Sequence, residues 1–209
     1  MQGVDKLLLP VAGRPVLEHA VEPFQRSTLV GPIALVLRAD LVEAWRGRAR
    51  ALGWEKVSAV VPGGARRQDS VLAGLRALGR CDWVLVHDGA RPCVTEEVIV
   101  RGLEAARETG AAIAAVPAKD TIKAVDARGF VTATPPRESL WLVQTPQVFR
   151  YDILWKAYEA GGPDVTDDAS LVEAAGYRVR VFMGDYRNIK VTTPEDLAAV
   201  EGFLRGARA

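Results

Sequence analysis

Short, mostly uninterrupted apolar runs recur along the chain: IALVLR (33–38), VSAVV (57–61), WVLVH (83–87) and AAIAAV (111–116). Runs of this length and composition predict strands buried on both faces, as in a parallel sheet. Between them the apolar positions switch to helical spacing. Val16, Leu17, Ala20, Val21 and Phe24 share one face, as do Leu41, Val42, Trp45, Ala49 and Leu52. Val71, Leu72, Leu75 and Leu78 define a third helix, and Val98, Ile99 and Leu103 a fourth. Strand alternating with helix predicts an α/β fold, a doubly wound, mostly parallel sheet joined by right-handed crossovers. Ligands of such sheets collect at the carboxyl ends of the strands. Asp88, directly after the WVLVH run, is at such an end.

After Pro117 the rhythm changes. Short alternating segments, a turn at Gly129 and the pair Pro135–Pro136 predict a hairpin-like β-arm at about 118–138 rather than another βαβ unit. The pattern then returns to helices near 151–160 and 167–175, a strand at 178–183 and a last helix. Thr193 is the expected cap of that last helix, with Pro194 in its first turn. Thr166 is the expected cap of the helix at 167–175, with Asp167 and Asp168 in the first turn. With 209 residues, 49% of them hydrophobic, the chain supports one domain with a full core.

Charge narrows the partners. Lysine and arginine number 27 against 26 acidic residues, a net charge of +1. That balance argues against a protein held to nucleic acid or to a membrane surface by bulk charge. No apolar run reaches the length of a membrane span, and the N-terminal segment does not resemble a signal peptide. Cys81 and Cys93 read as reduced thiols of a cytoplasmic protein.

Three segments carry candidate chemistry. In VPGGARRQDSV, Gly63 and Gly64 follow a strand and Ser70 falls in the first turns of the next helix. Such a junction is either an anion cradle or a plain turn. In HDGARP, Asp88 suits Mg²⁺, which prefers one or two carboxylates together with phosphate oxygens. Arg91 is either a phosphate clamp or the partner that orients Asp88. His87, ending an apolar strand, reads as a satisfied core histidine. Lys6, Arg137 and Lys190 stand as isolated basic residues beside predicted helices or the arm.

The segments DKLLLPVAGRPVLEH, RRQDSVLAGL, WVLVHDGARP, KDTIK, LVQTPQVF, TDDASLVE and NIKVTTPEDL occur in this order. The ordered set resembles the 2-C-methyl-D-erythritol 4-phosphate cytidylyltransferase family over nearly the whole chain. The resemblance implies a Rossmann-like nucleotidyltransferase, dimeric through its arm. It implies a reaction in which CTP and 2-C-methyl-D-erythritol 4-phosphate give the diphosphocytidyl product and pyrophosphate. By position, Lys6 resembles the lysine that stabilises triphosphate charge. Gly64 and Ser70 resemble cytidine-site residues. Asp88 resembles the Mg²⁺ ligand, with Gly89 and Arg91 beside it at the nucleotide. Thr121 resembles an arm contact to the sugar phosphate, donated across the dimer. Arg137 and Lys190 resemble the residues that orient its phosphate, and Thr145 and Thr166 further substrate contacts. The family pattern begins with a strand and a glycine-rich loop, A-A-G-x-G-x-R-M. Met1 aligns with its final methionine, so that strand and loop are expected to be missing here. Two other activities share some of these features: a cytidylyltransferase for ribitol 5-phosphate, and a non-catalytic nucleotide-binding fragment.

Overall fold

The structure is a computed structural model that describes residues 5–161 and 165–206; Met1 lies outside them. The four apolar runs form strands: β3 (Ile33–Leu37), β4 (Val57–Pro62), β5 (Trp83–Val86) and β6 (Ala111–Pro117). A small hairpin precedes them, β1 (Pro10–Val11) against β2 (Arg14–Pro15). The helical faces form α1 (Val16–Arg26), α2 (Val42–Ala51), α3 (Arg67–Leu78) and α4 (Glu96–Thr109). The later elements are β7 (Ala124–Val125), β8 (Val131–Ala133), β9 (Trp141–Arg150), α5 (Tyr151–Glu159), α6 (Asp168–Ala174), β10 (Arg180–Met183) and α7 (Pro194–Gly206).

The main sheet has the order β10-β6-β9-β5. Strands β5 and β6 both run antiparallel to β9, and β10 runs parallel to β6, so three of the four point the same way. Side-chain alternation along β6 builds two cores. Ala111 and Ile113 face α5 and α6, whereas Ala112 and Ala114 face α4 and Phe24 of α1. Helices therefore cover both faces, the predicted α/β arrangement. Strands β3 and β4 pair in parallel as a second sheet. Between β3 and β5 lies an apolar cleft of ≈ 590 Å³, walled by residues of both strands and by Val71 and Gly74 of α3.

Strand β9 was not legible as a strand. Its middle carries Gln144, Thr145, Pro146 and Gln147, yet residues 144–149 are buried. The polar side chains are buried because each bonds a neighbouring segment. Gln147 donates to Asp167 (3.0 Å) and accepts from Ala169 N–H (3.2 Å), which docks the start of α6. Gln144 donates to the Asp185 carbonyl (2.8 Å). The Thr145–Pro146 peptide is cis.

The cap of α6 corrects one expectation. Asp167, not Thr166, caps the helix, and its carboxylate accepts from Ser170 N–H (3.1 Å). Asp167 has the extended backbone that a cap needs, whereas Thr166 is exposed one residue too early. At the last helix, Thr193 N–H donates to Asp196 (2.8 Å), the backbone half of a capping box. The arm is the antiparallel pair β7–β8, closed by a turn in which Gly129 N–H donates to the Asp126 carbonyl (3.0 Å). It continues the β6–β9 pair, whose last register is Pro117 opposite Trp141.

Candidate active site

Strand β5 ends at Val86, and the chain turns with Arg91 N–H donating to the Asp88 carbonyl (2.9 Å). The turn directs the Asp88 carboxylate toward three cations. Lys190 Nζ lies 2.8 Å from Oδ2, Arg91 Nε lies 3.7 Å from Oδ2, and Arg67 Nε lies 3.9 Å from Oδ1. Burial pushes the Asp88 carboxyl up, but the Lys190 hydrogen bond and charge, followed by Arg67, outweigh it. The group stays below the ordinary carboxylate range. Asp88 is thus an anion at every pH near neutrality.

Backbone contacts fix this geometry. Arg91 Nη1 donates to the Asn188 carbonyl (2.8 Å) and Nη2 to the Val143 carbonyl (3.3 Å). Val191 N–H donates to the Ala90 carbonyl (2.8 Å). The segment carrying Lys190 is therefore tied to the Asp88 turn on both sides. Arg91 Nε lies beside Asp88 without a hydrogen bond to it. Both its terminal nitrogens serve backbone carbonyls, and burial lowers its pKa.

His87 and Thr145 form a second support. His87 Nε2 lies 3.1 Å from the Arg91 carbonyl, which can only accept, so Nε2 carries the proton. Nδ1 then accepts from the Thr145 hydroxyl (3.0 Å), whose oxygen accepts from Asp88 N–H (3.0 Å). Burial pushes the His87 pKa down to about 4, so the ring is neutral at pH 7. His87 is the satisfied core histidine that the sequence suggested. Thr145, a candidate substrate contact, is buried, and its hydroxyl accepts from Asp88 N–H.

The glycine junction is tighter than a generic turn. A Cβ on Gly64 would lie 2.3 Å from Asp69 Cβ, so the start of α3 itself excludes any larger residue. Ser70 Oγ accepts from Gly64 N–H (3.1 Å) and donates to the Arg66 carbonyl (3.2 Å). Gly89 is similarly crowded: a Cβ there would meet Leu17 at 2.8 Å and Leu7 at 3.3 Å. Leu7 belongs to the 3₁₀ turn Lys6–Leu8, capped by Asp5, so Lys6 sits on a segment packed against the Asp88 turn.

The remaining candidates lie apart. Thr121 and Arg137 are exposed on the arm, and Arg137 Nη1 donates to the Lys119 carbonyl (2.9 Å). Thr166 is exposed before α6. No hydrogen bond or ion pair among the described residues joins these three to Asp88. Sequence reasoning passed over Arg67 and Tyr158, and read Asp168 as a first-turn acid of its helix. Arg67 Nη2 lies 2.7 Å from Oδ2 of Asp168, and the Tyr158 hydroxyl donates to Oδ1 (2.5 Å). Asp168 is fully buried. The arginine stood in plain view in ARRQDS. Only its position beside a strand-end aspartate gives it a role.

The chain has many relatives of known sequence and structure. A sequence model of the 2-C-methyl-D-erythritol 4-phosphate cytidylyltransferase family matches residues 1–206. The chain is 50% identical to the protein of that name from Dehalococcoides mccartyi (strain CBDB1), covering 100% of this chain and 92% of the relative. It is 47% identical to the one from Geobacter metallireducens, covering 97% and 90%. Among solved structures, 4-diphosphocytidyl-2C-methyl-D-erythritol synthase from Anaerococcus prevotii superposes with a TM-score of 0.87 at 33% identity, covering 98% of this chain and 92% of that one. The 2-C-methyl-D-erythritol 4-phosphate cytidylyltransferase from Thermus thermophilus gives 0.81 at 35% identity, covering 96% and 93%. A family model that spans residues 1–206, with relatives 50% and 47% identical over nearly the whole chain, leads to one assignment: the chain belongs to the 2-C-methyl-D-erythritol 4-phosphate cytidylyltransferase family.

Proposed function

We infer that this chain joins CTP to 2-C-methyl-D-erythritol 4-phosphate and releases pyrophosphate, a step of isoprenoid biosynthesis. The observation that carries the reading is the half-buried Asp88 anion, held among Lys190, Arg67 and Arg91 in a chain that matches the family over residues 1–206. An oxygen of the sugar phosphate attacks the α-phosphorus of CTP, and the bond from that phosphorus to the pyrophosphate oxygen breaks. A phosphate monoester is largely ionised near pH 7, so no strong general base is required. The chain's contribution is positioning and charge neutralisation.

Each candidate has a place in this reading. Gly64 and Ser70 hold the cytidine, and Lys6 neutralises the triphosphate. Lys190, beside Asp88, orients the sugar phosphate together with Arg137. Thr121 and Thr166 complete that subsite, and Thr145 acts through Asp88 and His87. Asp88 is the Mg²⁺ ligand of the reading. Among the described residues no cluster of three or more His, Cys, Asp or Glu could hold a metal. A single carboxylate fits Mg²⁺ that arrives on a triphosphate with its own oxygens and waters. Such an ion, when bound, neutralises charge on the phosphates.

The arm supports a homodimer. Phe130 is 64% exposed, and Val125 and Val131 are each 58% exposed, beside Trp141, Leu142 and Val143 at its base. An apolar strip of this kind favours burial against a second copy. Cytoplasmic residence belongs to the same reading, with Cys81 and Cys93 as unpaired thiols. The test is pyrophosphate release from CTP with methylerythritol phosphate, run beside ribitol 5-phosphate. Turnover with the first substrate is expected. Turnover with ribitol 5-phosphate alone, or CTP binding without turnover, overturns the reading.

A further inference from the structure

The two oxygens of Asp88 are not equivalent. Oδ2 faces both Lys190 (2.8 Å) and Arg91 (3.7 Å), whereas among the described residues the cation nearest Oδ1 is Arg67, at 3.9 Å. A guanidinium so close to a carboxylate would ordinarily close to a bidentate pair. Arg67 does not, because a second carboxylate draws it away. Asp168 Oδ2 lies 2.7 Å from Arg67 Nη2, and Asp168 is fully buried. That oxygen accepts no aligned hydrogen bond, so the guanidinium charge is its compensation. A buried carboxylate stripped of its partner is strongly unfavourable, whereas Asp88 retains Lys190 and Arg91. In the competition for Arg67 the buried acid wins. Burial opposes the charge on Arg67, but Asp168, and then Asp88, outweigh it and hold the group protonated. Tyr158 fixes the other side of Asp168. Burial and the neighbouring carboxylate push the phenol upward, so it stays a donor.

We propose that Asp168 and Tyr158 are positioning residues that hold Arg67 off Asp88, keeping Oδ1 of Asp88 open to a divalent cation. The inference rests on the reading of Asp88 as the metal ligand. Releasing Arg67 from Asp168 lets it pair with Asp88 and compete directly with the ion. The device therefore sets how much metal the site requires, while Arg67 remains nearby as a fixed positive charge.

The test uses the whole chain with Mg²⁺ in turnover, and with Mn²⁺·CTP in calorimetry without the sugar phosphate. Asp168→Asn should raise the Mg²⁺ concentration for half-maximal turnover on the order of tenfold, and weaken Mn²⁺·CTP binding alike. Binding of CTP without metal should change little. Adding Arg67→Gln to Asp168→Asn removes the competitor, so metal affinity should return to that of Arg67→Gln alone. A purely structural role for Asp168 predicts no such rescue. Tyr158→Phe should shift the requirement in the same direction by less, and carries the test if Asp168→Asn does not fold. An unchanged metal requirement in Tyr158→Phe and Asp168→Asn, or no rescue in the double variant, overturns the inference. Asp88→Asn is the control. If it binds Mn²⁺·CTP as well as the parent chain, the metal reading fails; if it does not, a failure at Asp168 belongs to this inference alone.

Discussion

The carboxyl end of β5 and the arm hold functional candidates in opposite states. At the end of β5 most polar side chains are engaged within the chain. Asp88 faces three cations, Thr145 bridges Asp88 and His87, and Arg91 serves two backbone carbonyls. On the arm, Thr121 and Arg137 are exposed, and the Arg137 side chain donates to the Lys119 carbonyl. The arm's base is anchored, with Tyr186 donating to the Pro117 carbonyl (2.9 Å) and Lys119 lying over the Tyr186 ring. The difference teaches that one chain preorganises the surroundings of Asp88. Thr121 and Arg137 are left on an apolar projection, as the proposed function expects if that projection serves a second copy.

The largest effect should come from the preorganised half. Asp88→Asn is expected to lower turnover on the order of 10³-fold, about 4 kcal/mol, with an unchanged circular-dichroism spectrum. Normal pyrophosphate release at limiting Mg²⁺ would remove Asp88 from the metal site.

Next comes the arm. Arg137→Ala should cost about 2–4 kcal/mol of transition-state stabilisation, read in kcat/KM for the sugar phosphate with CTP affinity retained. Mixing Arg137→Ala with Asp88→Asn protomers sharpens the comparison. If the arm acts across a symmetric dimer, half of the mixed species' sites are intact, and a 1:1 mixture recovers about a quarter of the parent activity. No recovery after subunit exchange would place Arg137 on its own chain's site.

The third effect concerns His87. Its folded pKa is about 4 against an ordinary 6.5, so between these values the unfolded chain binds a proton that the folded chain does not. Stability from this group is full above pH 6.5 and is lost as the pH falls toward 4, by up to about 3 kcal/mol. Urea unfolding across that range should show the loss, and His87→Gln should flatten it. A parent chain as stable near the folded pKa as at neutrality would contradict the buried neutral ring. The smallest effect is at the arm's tip, where Phe130→Ser should weaken dimerisation by about 1–2 kcal/mol. Sedimentation over a range of protein concentration would measure it, and an unchanged dimer would move the interface elsewhere.

Much of the fold was legible because local pattern and tertiary role coincide. The runs at 33–38, 57–61, 83–87 and 111–116 are apolar because their strands are covered by helices. Asp88 stood out because an acid directly after such a run has nowhere to project but a strand-end crevice. The arm was legible from its turn and prolines. Strand β9 was not, because Gln144, Thr145 and Gln147 break the apolar pattern for reasons that lie in the 185–190 loop, at the Asp88 turn and at the start of α6.

The sequence by itself determined the alternation of strand and helix, the position of Asp88, the arm and the order of motifs that mark the family. These depend on neighbouring residues, whose spacing fixes which side chains share a face. The tertiary structure alone decided that β9 enters the sheet antiparallel, that Thr145 serves Asp88, and that Arg67 is shared between Asp88 and Asp168. Those outcomes are competitions between groups far apart along the chain. Burial settles them, because a charge or polar atom removed from water takes the partner it can least do without.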